Sequence, residues 1–237
     1  WREFDQRASS IANDLAAAMV TRQGKLMVYL YNSPEYLEAC FGALKAAMVP
    51  ANVNYRYGPH EIAYLFENAD AEAAIFDVEF APLLDSIRGG LPLMKRWIAV
   101  GDPSAVPEWA VPYESVATAA TSLDFRPDRR PDDLLLQYTG GTTGMPKGVM
   151  WTQEGLFRAM GQGGSALLGL APVSSLAELA ERIAAQPAPP QVALMACPLM
   201  HATALGNTFQ MLPLGATIVL LEGRRFDAAE LWSAVQR

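Results

Sequence analysis

The chain has 237 residues, 51% of them apolar and 18% charged, enough to bury one large core or two smaller ones. Acidic residues number 25 against 18 basic ones, for a formal charge of −7, and no block of Lys or Arg occurs. That balance argues against a nucleic-acid groove or an anionic membrane surface as partner. No apolar run reaches the roughly 18 residues that suggest a membrane span. Cys40 and Cys197 have neither disulfide-framework nor metal-ligand spacing and read as two buried thiols in a reducing, cytoplasmic compartment. The opening Trp1-Arg2-Glu3-Phe4 has no methionine, signal or transit character, so the chain is expected to begin inside a longer protein.

Phe4, Ala8, Ile11, Leu15 and Met19 recur at helical spacing, which predicts an amphipathic helix over about the first 20 residues. Leu26 to Tyr31 is a compact apolar run and reads as a buried strand. Ser33 then suits an N-cap, Pro34 the first helical position and Glu35 the first turn, and Leu37, Phe41, Leu44 and Met48 continue the apolar face. Ile62, Leu65 and Phe66 mark a short helix, and Ala73 to Phe76 a strand. Phe80, Leu83, Leu84 and Ile87 form a further stripe ending near Gly89-Gly90, and Trp97 to Val100 is another strand.

Residues 101–133 hold five prolines and five aspartates and read as a long surface connection, with one short helix near Tyr113 to Ala119. Asp132-Asp133 are expected to be solvated turn residues, not a metal pair. Leu134 to Tyr138 is a strand, Gly148 to Thr152 is extended, and a helix follows from Gln153 to about Met160. Leu176, Leu179 and Ile183 predict another helix, closed by a Pro-Ala-Pro-Pro hinge at 187–190. Val192 to Ala196 and Thr217 to Leu221 read as strands. Asp227 caps a last helix that places Leu231, Trp232 and Val235 inside. This alternation predicts an α/β fold, doubly wound, with largely parallel sheets and flanking helices. The expected division is 1–133 and 134–237.

Between two of these strands lies TGGTTGMPKG, Thr139 to Gly148. Glycines admit left-handed dihedrals and the close approach of an oxyanion. Thr139, Thr142 and Thr143 add hydroxyl donors, Lys147 adds a positive charge, and Pro146 sets the backbone before it. These residue types suit a nucleotide triphosphate. The pattern is not a Walker A loop, because the lysine follows proline and precedes glycine. A second cluster, GQGGSA at Gly161 to Ala166, fits the dinucleotide fingerprint letter by letter. It follows a helical segment where that fingerprint needs a strand, so it reads as a loop.

YTGGTTGMPKG resembles the phosphate loop of the adenylate-forming, AMP-binding superfamily, written [ST]-[ST]-G-[ST]-T-G-x-P-K-G. Thr139, Gly141, Thr142, Thr143, Gly144, Pro146, Lys147 and Gly148 match, and Gly140 stands where serine or threonine is usual. This version is similar to the loops of fatty-acyl and steroid side-chain CoA ligases. Leu44 to Tyr55, LKAAMVPANVNY, is similar to a second segment of that family, with Met48 where glycine is common. Cys197 to Ala204, CPLMHATA, resembles a third, with Ala204 replacing a common glycine and His201 as the family's histidine near the acyl site. His60 has no such context and reads as a surface or capping residue.

The resemblance implies ATP-dependent conversion of a carboxylic acid to acyl-AMP with release of pyrophosphate, then transfer to coenzyme A. Thr139, Gly140, Gly141, Thr142, Thr143, Gly144, Lys147 and Gly148 would hold the nucleotide phosphates, Thr139 would contribute to Mg²⁺, and Met200, His201, Thr203 and Trp151 would line the acyl site. The family's downstream Thr-Glu segment, ribose aspartate and C-terminal lysine-bearing domain do not occur before Arg237. A fragment of the N-terminal domain, inactive alone and prone to self-association, is therefore expected. Two other readings stay open: an enzyme that loads a carrier protein with an acyl or aminoacyl group, and a non-catalytic nucleotide-binding half-domain.

Overall fold

The computed structural model describes residues 1–141, 144–161, 169–185 and 191–236. These fall into two compact units, Trp1–Trp151 and Thr152–Arg237. The sequence reading puts the boundary after residue 133. The structure divides later, because the strand beginning at Leu134 pairs back into the first sheet.

Among the described residues the first unit is built on a seven-stranded sheet in the order β5-β4-β3-β1-β2-β6-β7. Its elements are α1 (Arg2–Ala17), β1 (Lys25–Tyr29), α2 (Pro34–Lys45), β2 (Val49–Asn52), α3 (Pro59–Asn68), β3 (Ala71–Asp77), α4 (Ala81–Ile87), β4 (Arg96–Val100), β5 (Val111–Pro112), α5 (Tyr113–Ala117), β6 (Leu134–Gly141) and β7 (Gly144–Thr152). The ladders β1–β2, β1–β3, β2–β6, β3–β4 and β4–β5 are all parallel. β6 and β7 are neighbours separated by two residues, a distance only antiparallel pairing allows. Parallel strands covered on both faces need continuous apolar runs, and Leu26, Met27, Val28 and Tyr29 on β1 and Ala73, Ala74, Ile75 and Phe76 on β3 are buried accordingly.

Several expectations shift in detail. Met19 is 78% exposed and has φ +58, because α1 stops at Ala17 before that residue can join the apolar face. The chain leaves α2 through a left-handed residue at Ala47 (φ +57), with the Met48 amide donating to the Ala43 carbonyl at 2.9 Å. The position that favours glycine is therefore Ala47, one residue before Met48. β2 escapes the periodicity reading because Pro50 interrupts it. The strand forms all the same, held between β1 and β6.

Residues 101–133 are less superficial than expected. They supply the edge strand β5 and helix α5, whose Tyr113, Val116 and Ala117 are buried. Asp133 is 1% exposed and pairs with Arg22, while its second oxygen accepts from the Arg130 amide at 2.9 Å. It is a buried ion-pair partner, not a solvated turn residue, whereas Asp132 is exposed.

In the second unit, α6 (Gln153–Leu156) runs into a π-helical turn, Phe157–Gly161. Next come α7 (Leu176–Ala184), β8 (Val192–Met195), α8 (Ala202–Met211), β9 (Thr217–Leu220) and α9 (Ala228–Gln236). β8 and β9 pair in parallel. Asp227 accepts from the Ala229 amide at 2.8 Å at the start of α9, as its position suggests. Trp232 and Val235 are 61% and 57% exposed, however, so the apolar face of α9 is not inside the described unit. Most of the GQGGSA cluster and the 187–190 hinge lie outside the described residues. Among the described residues, no helix is long and apolar enough to cross a membrane.

Candidate functional site

The candidate phosphate segment is formed by the end of β6 and the start of β7. Leu135, Leu136, Gln137 and Tyr138 are buried, and the strand emerges at Thr139 and Gly140, both exposed. On β7, Gly144 and Lys147 are exposed while Pro146 between them is buried. Lys147 thus reaches solvent while its neighbour anchors the strand. Thr142 and Thr143 lie outside the described residues.

What fixes the emergence point is a buried asparagine. Asn52, at the end of β2, donates from Nδ2 to the Tyr138 carbonyl at 3.0 Å and accepts from the Tyr138 amide at 2.5 Å. The side-chain amide imitates a strand backbone and prolongs the β2–β6 ladder, whose register pair is Ala51 with Leu136. The Tyr138 hydroxyl donates to Asn68 Oδ1 at 2.9 Å. Burial, with lesser contributions from Tyr64 and Asp70, pushes this phenol up to about 12, which keeps it a donor. Neither asparagine stands out in sequence. The available signal for Asn52 is a polar residue inside the apolar run Val49–Val53.

The glycines work differently from the expectation. Positive-φ glycines among the described residues are Gly101, Gly169 and Gly215, so Gly140 and Gly148 are not used for positive φ. Both are used for close approach. A Cβ on Gly148 would lie 3.1 Å from the Tyr138 ring, and one on Gly140 would lie 3.3 Å from the Tyr57 hydroxyl. A Cβ on Gly144 would meet nothing within 4 Å among the described residues. Trp151, near the end of β7, is half-buried.

The remaining candidates belong to the second unit. His201 is the exposed N-cap of α8, with φ −95 and ψ 140, and its side chain makes no capping hydrogen bond. Its amide donates to the Pro198 carbonyl at 3.0 Å, closing a turn that presents the ring at the helix start. Thr203 is exposed in the first turn, whereas Met200 is 2% exposed and packs inward. Cys197 is half-buried, less covered than expected, while Cys40 is buried and its thiol is pushed up to about 12. His60 is exposed in the first turn of α3.

A largely parallel seven-stranded sheet with flanking helices places the first unit in the α/β class. The chain belongs to the AMP-binding enzyme family, which matches residues 1–237. It is 39% identical over 200 residues to the medium-chain acyl-CoA ligase Mig of Mycobacterium avium, covering 83% of this chain and 36% of that protein. It is 31% identical over 239 residues to the 3-oxocholest-4-en-26-oate–CoA ligase of Rhodococcus rhodochrous, covering 99% of this chain and 42% of that one. In structure it resembles the anthranilate CoA ligase AuaEII solved with anthranoyl-AMP, at a TM-score of 0.77 and 23% identity over 98% of this chain and 41% of that one. That likeness carries the fold. The chain thus spans well under half the length of these relatives.

Proposed function

We propose that this chain carries the polyphosphate-holding part of an AMP-forming acid–thiol ligase acting on a fatty or steroid side-chain acid. The single observation behind this is the strand-end segment Thr139–Gly148, with Thr139, Gly140 and Lys147 exposed on a frame held by Asn52 and Tyr138. The names of the acyl-CoA ligase relatives support the substrate class.

In this reading a carboxylate oxygen attacks the α-phosphorus of ATP, pyrophosphate leaves, and the thiol of coenzyme A then displaces AMP from the acyl anhydride. No protein nucleophile is needed, so the chain contributes alignment and charge. The Thr139 hydroxyl and the backbone of Gly140, Gly141, Gly144 and Gly148 hold β- and γ-phosphate oxygens, and Lys147 balances the charge that builds as pyrophosphate departs. Thr142 and Thr143 take hydroxyl roles through the motif. Met200, His201, Thr203 and Trp151 are the proposed acyl-site residues. Among the described residues no group of three or more His, Cys, Asp or Glu side chains is arranged to hold a metal, and Thr139 offers one exposed hydroxyl. That donor set fits a Mg²⁺ carried in on phosphate oxygens. When bound, Mg²⁺ offsets polyphosphate charge. Cysteines outside any disulfide suit the reducing cytoplasm.

The test is acid-dependent ATP–pyrophosphate exchange, in this chain and in a form extended to the relatives' length, with medium-chain, long-chain and steroid-like acids. Exchange in the extended form, reduced roughly tenfold to a thousandfold by Lys147→Ala as for loss of one transition-state donor, is the expected result. Absence of exchange with every acid, or a Lys147→Ala rate equal to wild type, would overturn the reading.

A further inference from the structure

The notable feature beside the phosphate segment is the Tyr57 hydroxyl, 3.3 Å from where a Cβ on Gly140 would sit. Gly140 is exposed and Tyr57 half-buried, so this hydroxyl stands at the accessible end of β6. The tyrosine ring packs against the core cluster that contains Tyr138. Its backbone is held on both sides. The Tyr57 amide donates to the Asn54 carbonyl at 3.1 Å, and the Arg56 amide to Asn54 Oδ1 at 3.0 Å. The next residue, Gly58, starts α3 and donates its amide to Glu61 Oε2 at 3.2 Å. A donor fixed in this way has little reorganisation to undergo when an anion arrives.

We propose that the Tyr57 hydroxyl is a further polyphosphate-binding donor, filling the space that a side chain at residue 140 would otherwise take. A glycine at 140 lacks a hydroxyl of its own, and its bareness leaves room for the phenol. A serine there would sit closer to the Tyr57 oxygen than side chains ordinarily pack. This rests on reading Thr139–Gly148 as the ATP phosphate site.

The experiment measures binding of MgATP, inorganic pyrophosphate and AMP to the 237-residue chain by calorimetry, for wild type, Tyr57→Phe, Gly140→Ser and the double variant. Removing one hydrogen bond to a charged group predicts about tenfold weaker MgATP and pyrophosphate binding in Tyr57→Phe, with AMP unchanged. The double variant should be non-additive, because the introduced serine hydroxyl enters the space the phenol oxygen has left. Tyr57→Phe retains the ring, so its thermal midpoint should match wild type. Equal MgATP affinity in Tyr57→Phe, a loss that falls equally on AMP, or strict additivity overturns the assignment while leaving the ATP-site reading intact. A wild-type chain that binds neither MgATP nor pyrophosphate overturns both.

Discussion

Asn52 shows how one side chain can fix the end of a strand to which it does not belong. The residue is 5% exposed and spends both ends of its amide on the backbone of Tyr138, the residue before Thr139. Truncation to alanine leaves a buried amide and a buried carbonyl of β6 without these partners, and each such group costs about 1–3 kcal/mol. We expect Asn52→Ala to lower unfolding free energy by about 2–4 kcal/mol in urea denaturation. Loss of less than about 0.5 kcal/mol would mean that water or a neighbouring group takes over the pairing. Nothing in a one-dimensional pattern announces this. An asparagine flanked by Ala51 and Val53 reads as the end of an apolar run, and its partner is 86 residues away. The glycines teach the converse. Their presence suggested a loop with unusual dihedrals, yet at 140 and 148 the need for glycine comes from the Tyr57 hydroxyl and the Tyr138 ring.

At the scale of elements, the N-terminal ends of β1, β3 and β4 are stapled by Glu72. The β1–β3 register steps between Lys25 and Leu26, which pair with Ala71 and Ala73, so Glu72 opposes no residue of β1. Its carboxylate accepts from the Thr21 amide at 2.8 Å, from the Thr21 hydroxyl, and from Lys95 Nζ at 2.8 Å. Gly24 is required beside it, since a Cβ there would fall 2.9 Å from the Glu72 carboxyl carbon. Burial alone would raise the pKa of this carboxyl, but hydrogen bonds from Lys95 and Thr21 outweigh it and hold the group below the usual glutamate value. The sign follows from linkage. A depressed folded-state pKa contributes stability that is present above the unfolded value of about 4.3 and is lost as pH falls through the folded value. Glu72→Gln should therefore melt below wild type at pH 7, by a few degrees at most for so partly exposed a pair. The gap should narrow below about pH 4. A difference unchanged between pH 7 and pH 3 would show that shape and neutral hydrogen bonding matter here, and charge does not.

At the scale of the whole molecule, the two units differ in how well they enclose their apolar residues. In the first, the large side chains of β1 and β3 are buried, although Val149 and Met150 on the edge strand β7 are 43% and 69% exposed. The second exposes Val192, Phe226, Trp232 and Val235 at 57% or more. Open strand edges and exposed aromatic and aliphatic side chains favour association. We expect the 237-residue chain to self-associate at micromolar concentration, with Trp232→Glu shifting it toward monomer in light scattering. A wild-type chain that stays monomeric would show these side chains to be tolerated by solvent.

The sequence by itself determined the alternation of strands and helices, the position of β1, β3, β4, β6, β8 and β9 within a residue or a few, and the family to which the Thr139–Gly148 motif points. These depend on local periodicity, turn chemistry and a run of consecutive residues. The tertiary structure alone decided that β2 forms across Pro50, that Asp133 is buried against Arg22, that α9 leaves Trp232 exposed, and that Asn52, Asn68 and Tyr57 gather around Tyr138 and Gly140 at the end of β6. Each of those outcomes depends on which distant backbone supplies a partner or a cover. A polar side chain or an apolar face acquires its role only when that partner is brought beside it.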